Sequence, residues 1–475
     1  MRTIAIIGGG FSGTMTAVNL ARFSEEPLKI IMINTKRPFG RGTAYGTARR
    51  EHLLNVAARN MSAFPDFPNH FVDWLRTRSD FDHVSDQELR EMFIPRAIYG
   101  DYIRLIAEMH LRPVHSRFQL QFELIEDEAT DIELENTESV RIVLNNQGSI
   151  SANAVLLATG NQPPAALPSA SPLAFDLRYC ADPWDTSFFE RLPPHGSEIV
   201  ILGTGLTMVD VIVTMDAIGW RGKVTAISRN GMLPQSHFRG IAYPDYLPVG
   251  MDALHLDKLV QVVEENCQRL VRMSQNPAIA IDKLRPHTQR LWQGLSIEDK
   301  KDFLSKYGAR WNVTRHRIAQ SIHQKVTDRL DEGMLQVIPG TIESLVTTEN
   351  SINVRYRDQL GNEGQLSGDF VVNCTGPQSR FSRSNSSLYR NLISNQIISL
   401  DDMDMGIRID DDFAVLNDVE EPVGNLYAIG PPLKGTLWET TAVPELRGQA
   451  MRVAQIMLNQ MPSLPEEEYL IEYCI

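Results

Sequence analysis

The residue types best placed for chemistry are glycines at a repeated spacing. Gly8, Gly10 and Gly13 follow the apolar run Thr3-Ile4-Ala5-Ile6-Ile7 and enclose Phe11 and Ser12. Ala17, Val18, Leu20 and Ala21 then recur at helical spacing, which predicts strand, Gly-x-Gly-x-x-Gly turn and helix. In such a unit the first glycine permits a tight turn and the second lets the backbone approach a pyrophosphate. The third lets helix and strand pack closely. The N–H groups that open the helix then face the phosphates. The same arrangement returns at Glu198-Ile199-Val200-Ile201-Leu202, where Gly203, Thr204, Gly205, Leu206 and Thr207 form the turn. Met208 replaces the third glycine, so this second helix is expected to stand farther from its strand.

The residues closing the next strands suggest which dinucleotide each unit takes. Leu28 to Ile33 ends at Asn34, where an Asp or Glu usually binds the ribose hydroxyls. An amide can still bond a diol without repelling a 2′-phosphate. Lys36 and Arg37 follow, either to meet such a phosphate or merely to cover a solvated turn. Lys223 to Ile227 ends in Ser228-Arg229, a hydroxyl and a guanidinium suited to a 2′-phosphate. NADPH is therefore the first expectation there and NADH the second, against an exposed Arg that merely ends a strand. Arg285, His287, Arg315, His316 and Arg317 form a basic group within an acidic chain. They suit a substrate carboxylate or a cofactor phosphate, or equally a solvated or internally paired face. No catalytic acid–base triad stands out.

The elements that must position these residues are ordinary for a soluble chain of 475 residues, 43% hydrophobic and 22% charged. Its 46 Lys and Arg against 59 Asp and Glu give a formal charge of −13, which argues against nonspecific nucleic-acid binding. Cys180, Cys267, Cys374 and Cys474 are widely spaced, unlike a disulfide framework, a zinc site or a dithiol relay, and no metal site is expected. No apolar run is long enough to span a bilayer and no signal peptide precedes the first strand, so a reducing cytoplasm is expected. Phe71 to Leu75 and Tyr99 to His110 predict helices; Gln119 to Ile132 and Val140 to Leu144 predict strands. Ala154 to Gly160 and Phe370 to Gly376 predict buried strands that both end in Thr-Gly. Prolines 163, 164, 168, 172, 193 and 194 suggest a linker within 161–197. Leu254 to Gly333 reads as a helical insertion. Near the end, Thr440 or Thr441 is expected to cap a helix with Pro444 in its first turn.

Two such units, each with a Thr-Gly strand end, resemble the two-dinucleotide-binding flavoproteins. Four segments resemble more closely the bacterial family of FAD/NAD(P)-binding proteins: Gly40-Arg41-Gly42-Thr43-Ala44-Tyr45, His52-Leu53-Leu54-Asn55-Val56, Gly203 to Asp210, and Trp438-Glu439-Thr440-Thr441-Ala442-Val443-Pro444-Glu445-Leu446-Arg447. That family is similar to class B flavin monooxygenases, including N-hydroxylating enzymes. The resemblance implies an α/β fold of two Rossmann-like domains. The FAD domain is expected at 1–165 and 365–475, and the NAD(P)H domain at 196–345 with its insertion at about 254–333. It implies FAD beside Gly8, Gly10, Phe11, Ser12, Gly13, Asn34, Arg41, His52, Asn55, Met61, Ala129, Thr159, Gly160, Gly430, Trp438 and Thr440. NADPH or NADH would lie beside Gly203, Gly205, Leu206, Thr207, Ser228 and Arg229. Arg285, His287, Arg315 and His316 become candidates for the substrate. The expected activity is hydroxylation of a small amine or amino acid by O₂ through a flavin hydroperoxide. The alternatives are a reductase without oxygen insertion and a non-catalytic FAD-binding sensor or scaffold. Three departures matter: Asn34 lacks the usual ribose-binding carboxylate, Gly430-Pro431 replaces the usual Gly-Asp, and Tyr179-Cys180-Ala181-Asp182-Pro183-Trp184 lacks the Baeyer–Villiger signature.

Overall fold

The computed structural model describes residues 1–35, 39–112, 119–136, 139–165, 167, 173, 175–250 and 255–461. Lys36 and Arg37, Pro168 and Pro172, Leu254 and Cys474 lie outside the described residues.

The first glycine unit organises a six-stranded sheet. Arg2–Ile7 lies at its centre, parallel to Leu28–Ile33 on one side and Ala154–Leu157 on the other. Leu120–Ile125 extends one edge. Pro422–Ala428 joins the other edge in parallel from more than 250 residues away in sequence. Ala414–Leu416 is antiparallel to it and closes the sheet. The central strands are apolar runs because both faces are covered. Helix Phe11–Phe23 packs on the sheet and against the late helix Val443–Met457, so the C-terminal segment completes this first unit.

The second unit is a five-stranded parallel sheet in the order Leu335–Pro339, Lys223–Ser228, Glu198–Leu202, Phe370–Asn373, Tyr179–Cys180. Each sheet also receives its strand before the Thr-Gly turn from a three-stranded antiparallel meander. One comprises Ala129–Asn136, Ser139–Leu144 and Ser149–Ala152; the other Thr341–Thr347, Ile352–Arg357 and Glu363–Gly368. The repeat is therefore longer than the two glycine turns that announce it: strand, helix, strand, crossover, strand, meander, strand.

Strand pairing moves the expected boundaries. Phe370–Asn373, assigned by sequence to the flavin-side segment at 365–475, hydrogen-bonds within the second sheet beside Glu198–Leu202. Tyr179–Cys180, inside the expected linker, forms that sheet's edge. The helical insertion is shorter than 254–333, because helix Gln320–Asp331 packs on helix Leu206–Ala217 and leads into Leu335–Pro339. It is the crossover of the second unit. The insertion proper comprises the helices from Leu256–Arg272 to Gly308–Arg315. Their apolar faces meet around Leu259, Leu284, Trp292 and Leu295, and Trp438 of the C-terminal segment joins that cluster.

Candidate functional site

At the first turn, Gly8 has φ +112° and its N–H donates to Ile33 O at 2.9 Å. A Cβ there would lie 2.2 Å from Ala158 O, so the strand ending in Ala158-Thr159-Gly160 is in direct contact with the turn. A Cβ at Gly13 would lie 2.0 Å from Gly8 O. Helix Phe11–Phe23 is capped by Gly10 with no side-chain hydrogen bond and has no acid in its first turn. Its N–H groups are thus available to an anion, and the partial positive charge of that helix end is not offset by a carboxylate.

Other expected residues lie beside this turn or in the core of the same unit. Asn34 Oδ1 accepts the Gly9 N–H at 3.2 Å, so the amide braces the loop from the position where a carboxylate was expected. Gly40 N–H donates to Gly9 O at 2.7 Å, which lays the Gly40-Arg41-Gly42 segment beside Gly10. Arg41 is ion-paired with Asp101. Thr159 Oγ1 and Tyr389 Oη are 2.7 Å apart. Ala129 is buried at the start of its meander. Phe11 packs against Tyr45 and Tyr99, and Met61 is buried in the same core.

The C-terminal segment reaches this turn at Gly430, whose φ is +81°. A Cβ there would lie 3.3 Å from Ser12 Oγ. Gly430 N–H donates to Gln449 Oε1 at 3.2 Å, Gln449 Nε2 donates to Thr440 Oγ1 at 3.0 Å, and Thr440 Oγ1 donates to Gly430 O at 3.1 Å. This closed loop corrects the expected cap. Helix Val443–Met457 has Ala442 at its N-cap with no side-chain bond, although Pro444 does occupy its first turn. Thr440 fixes the approach of the segment, and Thr441 is exposed.

The second turn repeats the first. Gly203 has φ +105°, and a Cβ there would lie 2.3 Å from Cys374 O, of the strand ending in Thr375-Gly376. Gly205 caps helix Leu206–Ala217, again with no side-chain bond and no acid in the first turn. Leu206 and Thr207 open that helix. Met208 is fully buried, which requires a wider approach than the Gly13–Gly8 contact allows. Thr204 Oγ1 and Ser228 Oγ are 2.7 Å apart, so the strand end is tied to the turn. Arg229 is exposed beside them and makes no ion pair among the described residues.

His52 lies between the units and is engaged at both ring nitrogens. Nδ1 is 3.0 Å from Thr47 Oγ1, while Nε2 is 2.8 Å from Thr214 Oγ1 and 3.3 Å from Asp210 O. Burial, its largest influence, holds its pKa below the usual value. Asn55 offers its carbonyl to His237 Nε2 at 2.8 Å. Nearby, Arg96 forks onto Asp210 at 2.7 and 3.2 Å in a buried pair. Arg96 was not singled out by the sequence, and Asp210 stood only within a motif; their separation of 114 residues leaves no local signal.

The expected substrate cations are internally engaged. Arg285 forks onto Glu445 at 2.8 and 3.1 Å. Arg315 lies 3.6 Å from Glu439 and 3.8 Å from Asp282, and Arg317 forks onto Asp282 at 2.9 Å. Three guanidiniums thus face three carboxylates. His316 is held below its usual pKa, first by burial and against the pull of Glu439. His287 lies 3.5 Å from Asp245. The geometry matches the paired-face alternative for the two arginines. It also anchors the insertion to the first turn of helix Val443–Met457 through Glu445.

Beside this network lies a cavity of about 800 Å³ within the helical insertion, walled partly by Trp438. Trp438 stacks on Trp292 with centroids 4.7 Å apart and has φ +62°. Sequence patterning showed apolar helices here but not the space between them. Among the described residues no group of three or more His, Cys, Asp and Glu side chains gathers to hold a metal ion, and no helix is long and apolar enough to cross a membrane.

Paired glycine turns, paired Thr-Gly strand ends and a returning C-terminal segment define a two-dinucleotide-binding flavoprotein fold. Comparison with known proteins agrees. Residues 5–162 match the family described as FAD-NAD(P)-binding. The chain is similar in structure to the reduced form of ornithine hydroxylase from Pseudomonas aeruginosa, with TM-score 0.62, 16% identity and coverage of 97% of this chain and 99% of that one. Against the FAD-bound cadaverine monooxygenase of Erwinia amylovora the TM-score is 0.63 at 13% identity, covering 100% and 97%. Bacillithiol disulfide reductase from Staphylococcus aureus gives 0.55 at 13% identity, covering 97% and 99%. No curated protein matches the sequence significantly. The family matched by residues 5–162 is described as binding FAD and NAD(P), and the two acid-free, glycine-capped helix ends fit the phosphates of such cofactors.

Proposed function

We propose that the protein is an FAD-dependent NAD(P)H oxidoreductase of the cytoplasm, and that it is a monooxygenase hydroxylating an amine. The observation that carries the proposal is the duplication of a complete glycine-turn site, each with a glycine-capped helix end that has no side-chain cap bond and no acid in its first turn. A protein that only stores FAD has no use for the second. The likeness in fold to amine hydroxylases supports the choice of chemistry. The overall reaction balances as R–NH₂ + O₂ + NADPH + H⁺ giving R–NHOH + H₂O + NADP⁺.

In this reading Gly8, Gly10, Ser12 and Gly13 would hold the FAD pyrophosphate, Asn34 would brace the Gly9 loop on its adenosine side, and Gly430 would lie beside its ribityl chain. Gly203, Gly205, Leu206 and Thr207 hold the nicotinamide dinucleotide, with Ser228 and Arg229 receiving its 2′-phosphate. Bound FAD supplies the acceptor for the nicotinamide's electron pair and the centre at which O₂ is activated. The chain's own part is positioning. His52, Arg96–Asp210 and His237 fix the second unit against the first, and the Thr440–Gln449–Gly430 loop aims the N-terminus of helix Val443–Met457. That helix end favours negative charge on a reduced cofactor.

The second reading, a reductase without oxygen insertion, rests on the likeness in fold to bacillithiol disulfide reductase. Its dithiol form is disfavoured here. Cys180 and Cys374 are buried, and burial pushes the Cys180 thiol up to about 12 and that of Cys374 well above the usual thiol value. The deciding assay supplies FAD, NADPH, O₂ and a panel of amines and compares hydroxylated product with NADPH consumed. The monooxygenase predicts near one-to-one coupling on at least one amine. Steady NADPH oxidation to hydrogen peroxide with no product across the panel favours the reductase.

A further inference from the structure

The cavity in the helical insertion has a chemistry that the network beside it lacks. Its volume, about 800 Å³, lies within the range of small-molecule sites, ~300–1,000 Å³. Leu259, Val263, Ile281, Trp292, Trp311 and Trp438 are among its apolar walls. Three polar groups in those walls are already used, while Tyr307 and Thr314 add hydroxyls to the lining. Trp292 Nε1 donates to Gly435 O at 2.7 Å, Trp311 Nε1 to Glu439 Oε1 at 3.2 Å and Thr288 Oγ1 to Leu284 O at 2.9 Å. Glu264, Arg272 and Arg310 belong to the lining but are exposed, which places charge at the mouth and none at the apolar walls.

We infer that this cavity is the substrate site and that it takes an amine with an extended apolar body, aryl-alkyl or long-chain, and not a free basic amino acid. The inference deepens the oxidoreductase proposal and rests on it. A free amino acid would carry a carboxylate and an ammonium past walls made mainly of Leu, Val, Ile and Trp side chains, with the charged Glu264, Arg272 and Arg310 exposed, which is costly. The neighbouring guanidiniums of Arg285, Arg315 and Arg317 are matched by Glu445, Glu439 and Asp282. An apolar body needs only to displace water. The site also adjoins the flavin turn: Trp438 walls the cavity, and two residues on Thr440 bonds to Gly430, beside Ser12. Trp438 is held at φ +62°, a conformation a bulky side chain adopts only when its surroundings impose it. Here the stack on Trp292 and the Trp438 N–H bond to Lys434 O at 2.8 Å do so.

The test is calorimetric titration of the full chain, loaded with FAD and NADP⁺, with 4-phenylbutylamine and with ornithine. The expected result is saturable binding of 4-phenylbutylamine at least tenfold tighter than that of ornithine. Filling the cavity by Val263→Phe, and separately by Leu259→Phe, should each weaken 4-phenylbutylamine tenfold or more, with the bound-flavin spectrum confirming that the variant is folded. Ornithine binding as tightly as 4-phenylbutylamine, no binding of 4-phenylbutylamine, or folded variants of both kinds with unchanged affinity overturns the inference. Anaerobic reduction of the wild-type flavin by NADPH is followed in parallel. Its failure alongside tight 4-phenylbutylamine binding would count against the oxidoreductase reading while supporting the cavity's ligand class.

Discussion

Gly8 carries two constraints that only a glycine meets together: a positive φ, and a Cβ position 2.2 Å from Ala158 O. Gly8→Ala should therefore displace the Ala158-Thr159-Gly160 turn and cost about 1–3 kcal/mol from the backbone conformation alone. The expected outcome is a lower thermal midpoint and loss of flavin on gel filtration, read as the flavin-to-protein absorbance ratio. Arg96 and Asp210 are coupled differently. Arg96→Met leaves a buried carboxylate without its fork and should cost about 3–5 kcal/mol, whereas Arg96→Met with Asp210→Leu should recover most of it. Chemical denaturation of the two variants checks this. His237 sets a pH dependence. Burial, the first cause, lowers its pKa from 6.5 to about 4. Between those values the unfolded chain binds the extra proton, so stability is full above pH 6.5 and falls on acidification towards pH 4. The loss from this residue is about 3 kcal/mol. His52, His70 and His110 shift in the same direction and add to the slope. His237→Gln, whose amide can still donate to Asn55 O, should give a shallower decline of thermal midpoint over that window.

At the scale of elements, strand–turn–helix units were legible because burial on both faces writes continuous apolar runs and glycine marks a turn that nothing else fits. The Thr-Gly strand ends were visible too, and the structure explains them as the surfaces against which Gly8 and Gly203 lie. The boundary at 365 was not legible, since Phe370–Asn373 looks alike whichever sheet it joins. Thr440 read as a cap because its type suits one; the bond to Gly430 depends on a chain reversal that local pattern does not encode. The cavity was invisible for a related reason, as helical periodicity tells which faces are apolar but not whether they close on one another. The end of strand Lys223–Ser228 supports a sharper prediction. Arg229 is exposed with no ion pair among the described residues, so Arg229→Ala should weaken NADPH about tenfold, ~1.4 kcal/mol, and leave NADH nearly unchanged. Binding titrations with both nucleotides decide it.

For the whole molecule, we propose that two dinucleotides lie on two repeated units held in fixed register, so that electrons pass from one to the other. The contacts between units are specific: Arg96–Asp210 and His52–Thr214 are buried, and His237–Asn55 is half-buried. The insertion is fastened to the flavin-side helix by Arg285–Glu445. The most direct measurement is the visible spectrum of the FAD-loaded protein during anaerobic titration with NADPH. The account predicts stoichiometric bleaching of the flavin band by NADPH, with NADH less effective. Tight FAD retention with no bleaching by either nucleotide would contradict it.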